Sequence, residues 1–296
     1  MKLSIAAEMF YTSMITVKAE STIKWYHKRL DPLIDYLEDK DIEDVDIFDL
    51  ERFRASLDRD SEAPGRSGKV SDHTVHGFIR AQKTFFRFLK KRRLLREDPA
   101  EYLEKPRLPK QPRKGIAPES AEKMINTSKS SLRDYAILLF TRDTGCRAGG
   151  IYNLLTENID LKHNKAIIRE KGDKERTVFF TKETCWALVM YASVRKNPKG
   201  DDHFFLNDRT HDALTYAGVY QIFKRQAKAS RIKTKFSPHQ WRHAAIRSWL
   251  LAGMNLKSAS EIAGHSTEKV TGDIYGTLDE FELQAIYNQT IGKLWA

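Results

Sequence analysis

The heptapeptide Ser237-Pro238-His239-Gln240-Trp241-Arg242-His243 is the most informative stretch of this 296-residue chain. Serine is a favoured helix N-cap, and proline is favoured at the first helical position because its fixed φ suits the helix. A helix is therefore expected to begin at or just after Pro238. His239 and Arg242 then lie three residues apart on one helical face, beside an N-terminus that attracts anions. This spacing predicts a site for a phosphate group.

Further reactive side chains lie on both sides of this helix. Arg147 ends the segment Thr144-Gly145-Cys146-Arg147, and Lys171 begins the segment Lys171-Gly172-Asp173-Lys174-Glu175-Arg176. His265 follows Ala263-Gly264, and Tyr275 comes ten residues later. With His239 and Arg242, these residues make a set of two arginines, two histidines, a lysine and a tyrosine. Such a set can transfer a phosphoryl group without a metal, because cations hold the phosphate and tyrosine is a nucleophile.

The order of these residues resembles that of the tyrosine recombinase (integrase) superfamily, which runs Arg, Lys, His-x-x-Arg, His or Trp, and Tyr. The resemblance is strong over roughly the last 180 residues and rests on architecture in the first hundred. It implies a fold that is mainly α with a small antiparallel β-sheet. The implied architecture has two domains, a helical core-binding domain and an α/β catalytic domain. The implied function is that of a site-specific DNA recombinase or integrase, which cleaves and rejoins duplex DNA through a 3′-phosphotyrosine intermediate.

The chemistry of a DNA phosphodiester explains why such a site needs these residue types. Its anionic oxygens repel a nucleophile, and its 5′ oxygen is a poor leaving group. Two guanidinium groups, assigned to Arg147 and Arg242, can hold the non-bridging oxygens bidentately. By the resemblance, His239 handles a proton or contacts the phosphate, His265 donates a hydrogen bond to it, and Tyr275 attacks the phosphorus. The phosphotyrosine stores the cleaved bond, so no cofactor and no metal is expected.

Two of these assignments have rivals. Lys171 matches the first lysine of the family hairpin, so it is preferred over Lys174 as the acid that protonates the leaving 5′ oxygen. Tyr275 is preferred over Tyr287 because only Tyr275 follows Gly-His at nearly the family's distance. The interval from His265 to Tyr275 is one residue longer than usual, and the Thr-Thr that commonly precedes the tyrosine is missing.

Gly150 is a further departure from the family pattern. It stands three positions after Arg147, where the family commonly has an acidic residue. Together with Gly149, it is expected to loosen the local helix and to deprive Arg147 of a stabilising partner. A catalytically impaired, sequence-specific DNA-binding protein is therefore an alternative function. A type IB topoisomerase-like relaxase, acting as a monomer with the same residues, is another.

Composition narrows the class of partner. A formal net charge of +11 favours a polyanion, and double-stranded DNA is the expected one. No apolar run reaches the roughly 18 residues that suggest a membrane span, and the N-terminal residues lack the apolar core of a signal peptide. We therefore expect a soluble, cytoplasmic, nucleoid-associated protein with no membrane partner. Cys146 and Cys185 are too few for a disulfide framework and are interpreted as small buried side chains.

The first hundred residues have the periodicity of helices. One helix is expected from Ser21 and a second from Asp46 to about Asp58, and a loop over Ser61–Gly68 then precedes a third helix capped by Ser71. The residues expected to face inward are Ile23, Tyr26, Leu30, Leu33, Ile34 and Leu37 in the first helix, Phe48, Leu50, Phe53 and Leu57 in the second, and Val75, Phe78, Ile79, Gln82, Phe85, Phe86 and Leu89 in the third. The first helix has a basic opposite face.

A basic segment joins the two predicted domains. Between Lys83 and Lys114 there are 12 Lys or Arg against 4 acids, and prolines keep the later part extended. The residues expected to bind DNA here are Lys90, Lys91, Arg92, Arg93, Lys110 and Arg113. The predicted domains are a helical, SAM-like core-binding domain over residues 1–105, a basic Pro-rich linker over 106–116 and a catalytic domain over 117–296.

The catalytic domain is expected to be helical with one small sheet. Residues Asn158–Phe180 alternate between apolar and polar and predict three short antiparallel strands. The resemblance implies a homotetramer that acts on two DNA sites. In that assembly the C-terminal segment Phe281–Trp295 would dock on a neighbouring subunit, and the alternative is that it packs on its own domain.

Overall fold

A computed structural model gives the structure of residues 1–59, 70–108, 116–170, 174–232, 236–265, 271–272, 284 and 287–288. The chain divides into two compact units, Met1–Lys110 and Gln111–Ala296. Over the described ranges the elements are α1 (Leu3–Thr12), α2 (Glu20–Tyr36), α3 (Ile47–Arg59), α4 (Asp72–Lys91), α5 (Pro118–Ser128), α6 (Leu132–Thr144), α7 (Ala148–Tyr152), β1 (Ile159–Asp160), β2 (Lys165–Glu170), β3 (Lys174–Phe179), α8 (Lys182–Val194), α9 (Tyr216–Ala229), α10 (Pro238–Leu251) and α11 (Leu256–Ala263). The predicted fold class, mainly α with a small antiparallel sheet, is confirmed. None of the helices described has the length and apolar character needed to cross a membrane.

Helices α1–α4 build the first unit around one apolar core. The longest of them, α4, packs against the other three. Ser71 caps α4 as predicted, and its hydroxyl accepts a hydrogen bond from the Thr74 N–H at 3.3 Å. All seven residues expected to face inward from α4 are buried. The loop predicted over residues 61–68 lies outside the described residues.

In α3 the inward position predicted for Phe48 is wrong, because this side chain is 64% exposed. Asp49 takes the inward position and is buried, and the Lys40 Nζ lies 2.8 Å from its carboxylate. A buried carboxylate is stable only when it is paired in this way. Leu50 and Phe53 are buried as predicted. The helical period therefore turns Phe48 to the other side.

The basic face predicted for α2 is divided. Lys24 and Lys28 are exposed, but Arg29 turns onto the Trp25 ring, with its guanidinium carbon 4.1 Å from the ring centroid. Arg80 of α4 contacts the same ring at 4.4 Å. Partial burial and the neighbouring Arg80 lower the pKa of Arg29. One aromatic ring thus joins a cation of α2 to a cation of α4.

Helix α6 lies at the centre of the second unit. Most of its residues are buried, and α5, α8, α10 and β3 pack against it. The sheet beside it has the strand order β1-β2-β3 with antiparallel pairing, as predicted. Strand β2 pairs with β3 from Lys165 opposite Phe179 to Glu170 opposite Lys174, and it also contacts α7.

Helix α10 begins where the sequence predicts. Ser237 caps it by accepting a hydrogen bond from the Gln240 N–H at 3.4 Å, and Pro238 is its first residue. It packs against α6 and α11, and α11 ends at Gly264 in a left-handed conformation. This packing brings the first turn of α10 to the ends of α6 and α11.

Candidate active site

The structure brings Arg147, His239, Arg242 and His265 to one region of the second unit. Arg147 is the N-cap of α7, and Arg242 lies in the second turn of α10, three residues after His239. His265 directly follows the end of α11. The other two predicted catalytic residues, Lys171 and Tyr275, lie outside the described residues.

Arg242 is buried, and its guanidinium holds two chain segments together. Its Nη1 donates to the Gly145 carbonyl at the end of α6, and its Nη2 donates to the Ala263 carbonyl at 2.7 Å. The Glu170 carboxylate lies 3.9 Å from Nη1. Burial and the neighbouring Arg147 lower the pKa of Arg242 to about 10, while Glu170 acts in the opposite direction. The guanidinium therefore remains charged at neutral pH.

Arg147 is the more accessible of the two arginines, with 38% of its side chain exposed. Its backbone N–H donates to Glu170 Oε1 at 2.7 Å, and its guanidinium forms an ion pair with Glu170 Oε2. The same guanidinium lies 3.4 Å from the Gly264 carbonyl. Arg147 is thus held at its backbone and at its guanidinium, while about a third of its side chain remains exposed.

Glu170, at the end of β2, is a carboxylate that the sequence analysis did not assign to the site. It is 6% exposed and contacts a third arginine, Arg176, at 3.5 Å. Burial alone would raise the pKa of Glu170. However, Arg176, the Arg147 N–H and Arg242 outweigh burial, so the pKa lies below its ordinary value. Glu170 is therefore ionised at neutral pH.

The expectation that Arg147 lacks an acidic partner is wrong. Gly150 carries no carboxylate, but a Cβ built on it would lie 3.6 Å from Glu170 Oε1. The acid comes from β2 instead of from α7. The sequence offered no sign of this partner, because Glu170 lies 23 residues from Arg147 and its neighbours suggested only a strand end.

Gly264 is required for close packing at the site. Its φ is +67°, and a Cβ there would lie 2.8 Å from both Cδ and Nε of Arg176. Arg176 in turn donates to the Ile262 carbonyl at the end of α11. Gly145 is similar, with a φ of +54° and Trp249 2.7 Å from its hypothetical Cβ. Both positions exclude side chains for steric and conformational reasons.

His265 is half-buried beside the arginines. Its Nδ1 lies 2.6 Å from the Thr271 hydroxyl, which is itself buried. Burial, followed by the charges of Arg242 and Arg147, lowers the pKa of His265 to about 4. At neutral pH its ring is therefore uncharged, with one nitrogen as donor and the other as acceptor. Thr271 was not predicted to have a role.

His239 pairs with His243, the second histidine of the motif. Their Nε2 atoms lie 3.0 Å apart, and the rings are nearly perpendicular. One nitrogen must donate the shared hydrogen and the other accept it, so the contact favours a pair in which at least one ring is uncharged. The i, i+4 spacing on a helix could have predicted this contact.

The residues predicted to bind DNA in the first unit lie at the end of α4. Lys90, Lys91, Arg92 and Arg93 are all exposed. Lys90 lies 3.2 Å from Glu101, and the Arg92 guanidinium lies over Phe88 at 5.4 Å. The remaining two, Lys110 and Arg113, lie outside the described residues.

Neither cysteine forms a disulfide. Cys146 is buried, which raises the pKa of its thiol to about 11, whereas Cys185 is only partly buried. In the part of the chain that the structure covers, no three His, Cys, Asp or Glu residues cluster as metal ligands would.

Comparisons with known proteins identify the family of this chain. Residues 114–281 match the model of the phage integrase family. Tyrosine recombinase XerD of Listeria innocua is 27% identical over 91% of this chain and 92% of its own length. Tyrosine recombinase XerC of Chlamydia caviae is 32% identical over 67% of this chain and 65% of its own.

Solved structures match most of the chain. The crystal structure of XerA recombinase has 25% identity and a TM-score of 0.57 over 97% of this chain and 98% of that one. A post-cleavage complex of the XerH site-specific recombinase, bound to a palindromic difH substrate, has 18% identity and a TM-score of 0.73 over 90% of this chain and 79% of that one. The family match and the fold define a tyrosine-type site-specific recombinase. The chain belongs to the phage integrase family.

Proposed function

We propose that this chain binds double-stranded DNA, cleaves one strand by attack of Tyr275 and rejoins it from a 3′-phosphotyrosine intermediate. One observation carries the proposal. Arg147 and Arg242, far apart in sequence, contact the same buried carboxylate and the neighbouring carbonyls at the end of α11, beside an uncharged His265. Such a cluster of fixed donors suits an anionic transition state, because its dipoles and charges need no rearrangement as charge develops.

Each side chain has a distinct part in this proposal. Arg147 faces solvent and binds a non-bridging phosphate oxygen directly. Arg242 has five N–H groups, and within the described residues carbonyls accept from two of them; the proposal assigns others to the phosphate. If the Thr271 hydroxyl donates to Nδ1 of His265, then Nε2 carries the hydrogen and donates it to the phosphate. His239 contacts the phosphate or handles a proton.

Two roles in this proposal rest on residues outside the described part of the chain. Tyr275 is the nucleophile in this proposal, because cations that hold the phosphate would also favour a phenolate. Lys171, preferred over Lys174, protonates the leaving 5′ oxygen. In the sequence, Lys171 directly follows Glu170.

The same proposal assigns a role to each part of the chain. Residues 1–105 form the core-binding domain, residues 106–116 the linker and residues 117–296 the catalytic domain, with the basic residues at the end of α4 on DNA phosphates. The net charge of +11 supports a DNA partner. We further propose a homotetramer on two DNA sites, with the segment Phe281–Trp295 docked on a neighbour, in a cytoplasmic, nucleoid-associated location.

Covalent trapping tests the proposal. Duplexes are first selected from a random pool by binding to the wild-type chain, then nicked so that a cleaved strand cannot be rejoined. Wild type should form a covalent adduct, and Tyr275→Phe should bind equally well but form none. Tyr287→Phe is the matched control and should react like wild type. An adduct with Tyr275→Phe would assign the nucleophile elsewhere.

Covalent trapping and a plasmid-relaxation assay together separate the alternative functions. DNA binding by wild type without any adduct would identify an impaired DNA-binding protein. Relaxation of plasmids that lack a selected site would identify a topoisomerase-like enzyme. Arg147→Ala should slow adduct formation by about 10²- to 10³-fold, the usual loss for one transition-state donor.

A further inference from the structure

We propose that Glu170 is the positioning residue of the arginine cluster, and that it reaches this place because residue 150 is glycine. This inference rests on the proposed function, in which Arg147 and Arg242 hold the phosphate. Glu170 itself touches no substrate. It fixes the guanidinium groups that do.

The geometry around Gly150 supports the first half of the proposal. A Cβ on Gly150 would lie 3.1 Å from Cβ of Cys146, 3.1 Å from Cδ1 of Ile168 and 3.6 Å from Oε1 of Glu170. The first two contacts are tighter than ordinary van der Waals distances. A side chain longer than one carbon would have to extend into the space that the Glu170 carboxylate occupies. Residues 150 and 170 therefore compete for one volume, and only one of them can place a carboxylate there.

The charges around Glu170 support the second half. Three arginines surround this carboxylate: Arg147 at both its backbone and its side chain, Arg176 at 3.5 Å and Arg242 at 3.9 Å. The side chains of Arg242 and Glu170 are 2% and 6% exposed, so water screens their interaction weakly. Without the carboxylate, three like charges would repel one another at short range. The most exposed of them, Arg147, would move into solvent.

The hydrogen bond from the Arg147 N–H adds a backbone constraint. It joins the N-cap of α7 to the last residue of β2 at 2.7 Å. Glutamine at 170 keeps the size of the side chain and an acceptor oxygen but removes the charge. Glu170→Gln therefore removes the charge alone, whereas Glu170→Gly removes both the charge and the acceptor for the Arg147 N–H.

An exchange of the two residues tests the proposal. Glu170→Gly removes the carboxylate, and Gly150→Glu crowds Cys146 and adds a second carboxylate, so each should slow adduct formation at saturating DNA by about 10²-fold, as for a lost donor. The double variant Gly150→Glu/Glu170→Gly returns one carboxylate to the vacated volume. It should react at least about tenfold faster than either single variant, which is the non-additivity expected of residues in contact.

The control is Glu175→Gln on β3. Glu175 also pairs with an arginine of the same hairpin, Arg169, at 2.8 Å, but both side chains are more than half exposed. This variant should react within a few-fold of wild type. The Kd for DNA of Glu170→Gln should change much less than its cleavage rate, because the arginines remain charged. A general structural defect would raise the Kd and lower the cleavage rate together. If the double variant reacts no faster than the slower single variant, the proposal that residues 150 and 170 compete for one volume is wrong.

Thermal unfolding without DNA distinguishes failure of this inference from failure of the proposed function. The pKa of Glu170 lies below its ordinary value of 4.5, so its stabilising contribution is present above pH 4.5 and is lost as pH falls through the lower value. Glu170→Gln should flatten the fall in Tm below pH 4.5, and the double variant should recover Tm relative to both singles. If wild type forms no adduct, the proposed function fails. The Tm values of wild type, the two single variants and the double variant still test whether residues 150 and 170 share one volume. If the Tm change of the double variant equals the sum of the two single changes, the proposal is overturned.

Discussion

Replacement of Arg242 by lysine should destabilise the second unit even though the charge is kept. The guanidinium donates to two carbonyls on different segments, Gly145 and Ala263, in a fixed fork. An ammonium is a point charge and cannot span both in that geometry. Hydrogen bonds to charged groups contribute about 1.5–3 kcal/mol each, so the loss of one should lower the free energy of unfolding by about that amount.

The corresponding change in Tm is measurable. For a unit of this size, each 1 kcal/mol shifts Tm by about 2–4 °C, so Arg242→Lys should unfold about 3–12 °C below wild type. Circular dichroism at pH 7.5 provides the measurement. Arg169→Lys is the control, since its exposed pair with Glu175 should contribute at most about 1 kcal/mol.

The same experiment on Arg147 gives the contrast. Arg147 is partly exposed, and within the described residues its side chain forms one ion pair and longer contacts with the Gly264 carbonyl, so Arg147→Lys should shift Tm less than Arg242→Lys does. A Tm for Arg242→Lys within 1 °C of wild type would refute the reasoning. It would mean that the two carbonyl contacts do not hold the chain segments together.

Three further predictions concern proton transfer, DNA affinity and pH. A 5′-bridging phosphorothiolate has a leaving group that needs little protonation, so it should rescue cleavage by Lys171→Ala; rescue of Lys174→Ala alone would reverse the assignment. Neutralising the four cations Lys90–Arg93 together should weaken binding to all sequences alike and flatten log K against log[salt] by up to about 0.9 per lost contact; an unchanged slope would make them a solvated helix face. The pKa of His265 is lowered from 6.5 to about 4, so on acidification the unfolded chain takes up this proton before the folded chain does. The free energy of unfolding should therefore decrease as the pH falls from 6.5 to about 4. His265→Asn should reduce that decrease. Identical curves of stability against pH for wild type and His265→Asn would contradict the lowered pKa.

Local signals predicted the parts of the structure that depend on neighbouring residues. The start of α10 follows from Ser237 and Pro238, because an N-cap and a proline act within one turn. The buried face of α4 follows from its apolar period, and the hairpin of β2 and β3 from alternation and turn residues. These features need no knowledge of the rest of the chain.

The features that sequence missed depend on distant contacts. Phe48 has the apolar character of a core residue, but Asp49, paired with Lys40, takes the inward position beside Leu50 and Phe53. Glu170 reads as an ordinary strand end until α7 is packed beside β2. Arg29 belongs to a basic face by its spacing, yet the Trp25 ring draws it inward. In each case a tertiary contact changes the role of a side chain that local pattern had assigned.

The position of the Arg242 guanidinium depends on the correct folding of two separate chain segments. Its guanidinium is held only when the turn after α6 and the end of α11 have both reached their native places. Under the proposed function, a nascent or partly unfolded chain therefore lacks an aligned arginine and cannot nick the chromosome. Cleavage should therefore be lost whenever either of these two segments leaves its native place, even if the rest of the chain stays folded.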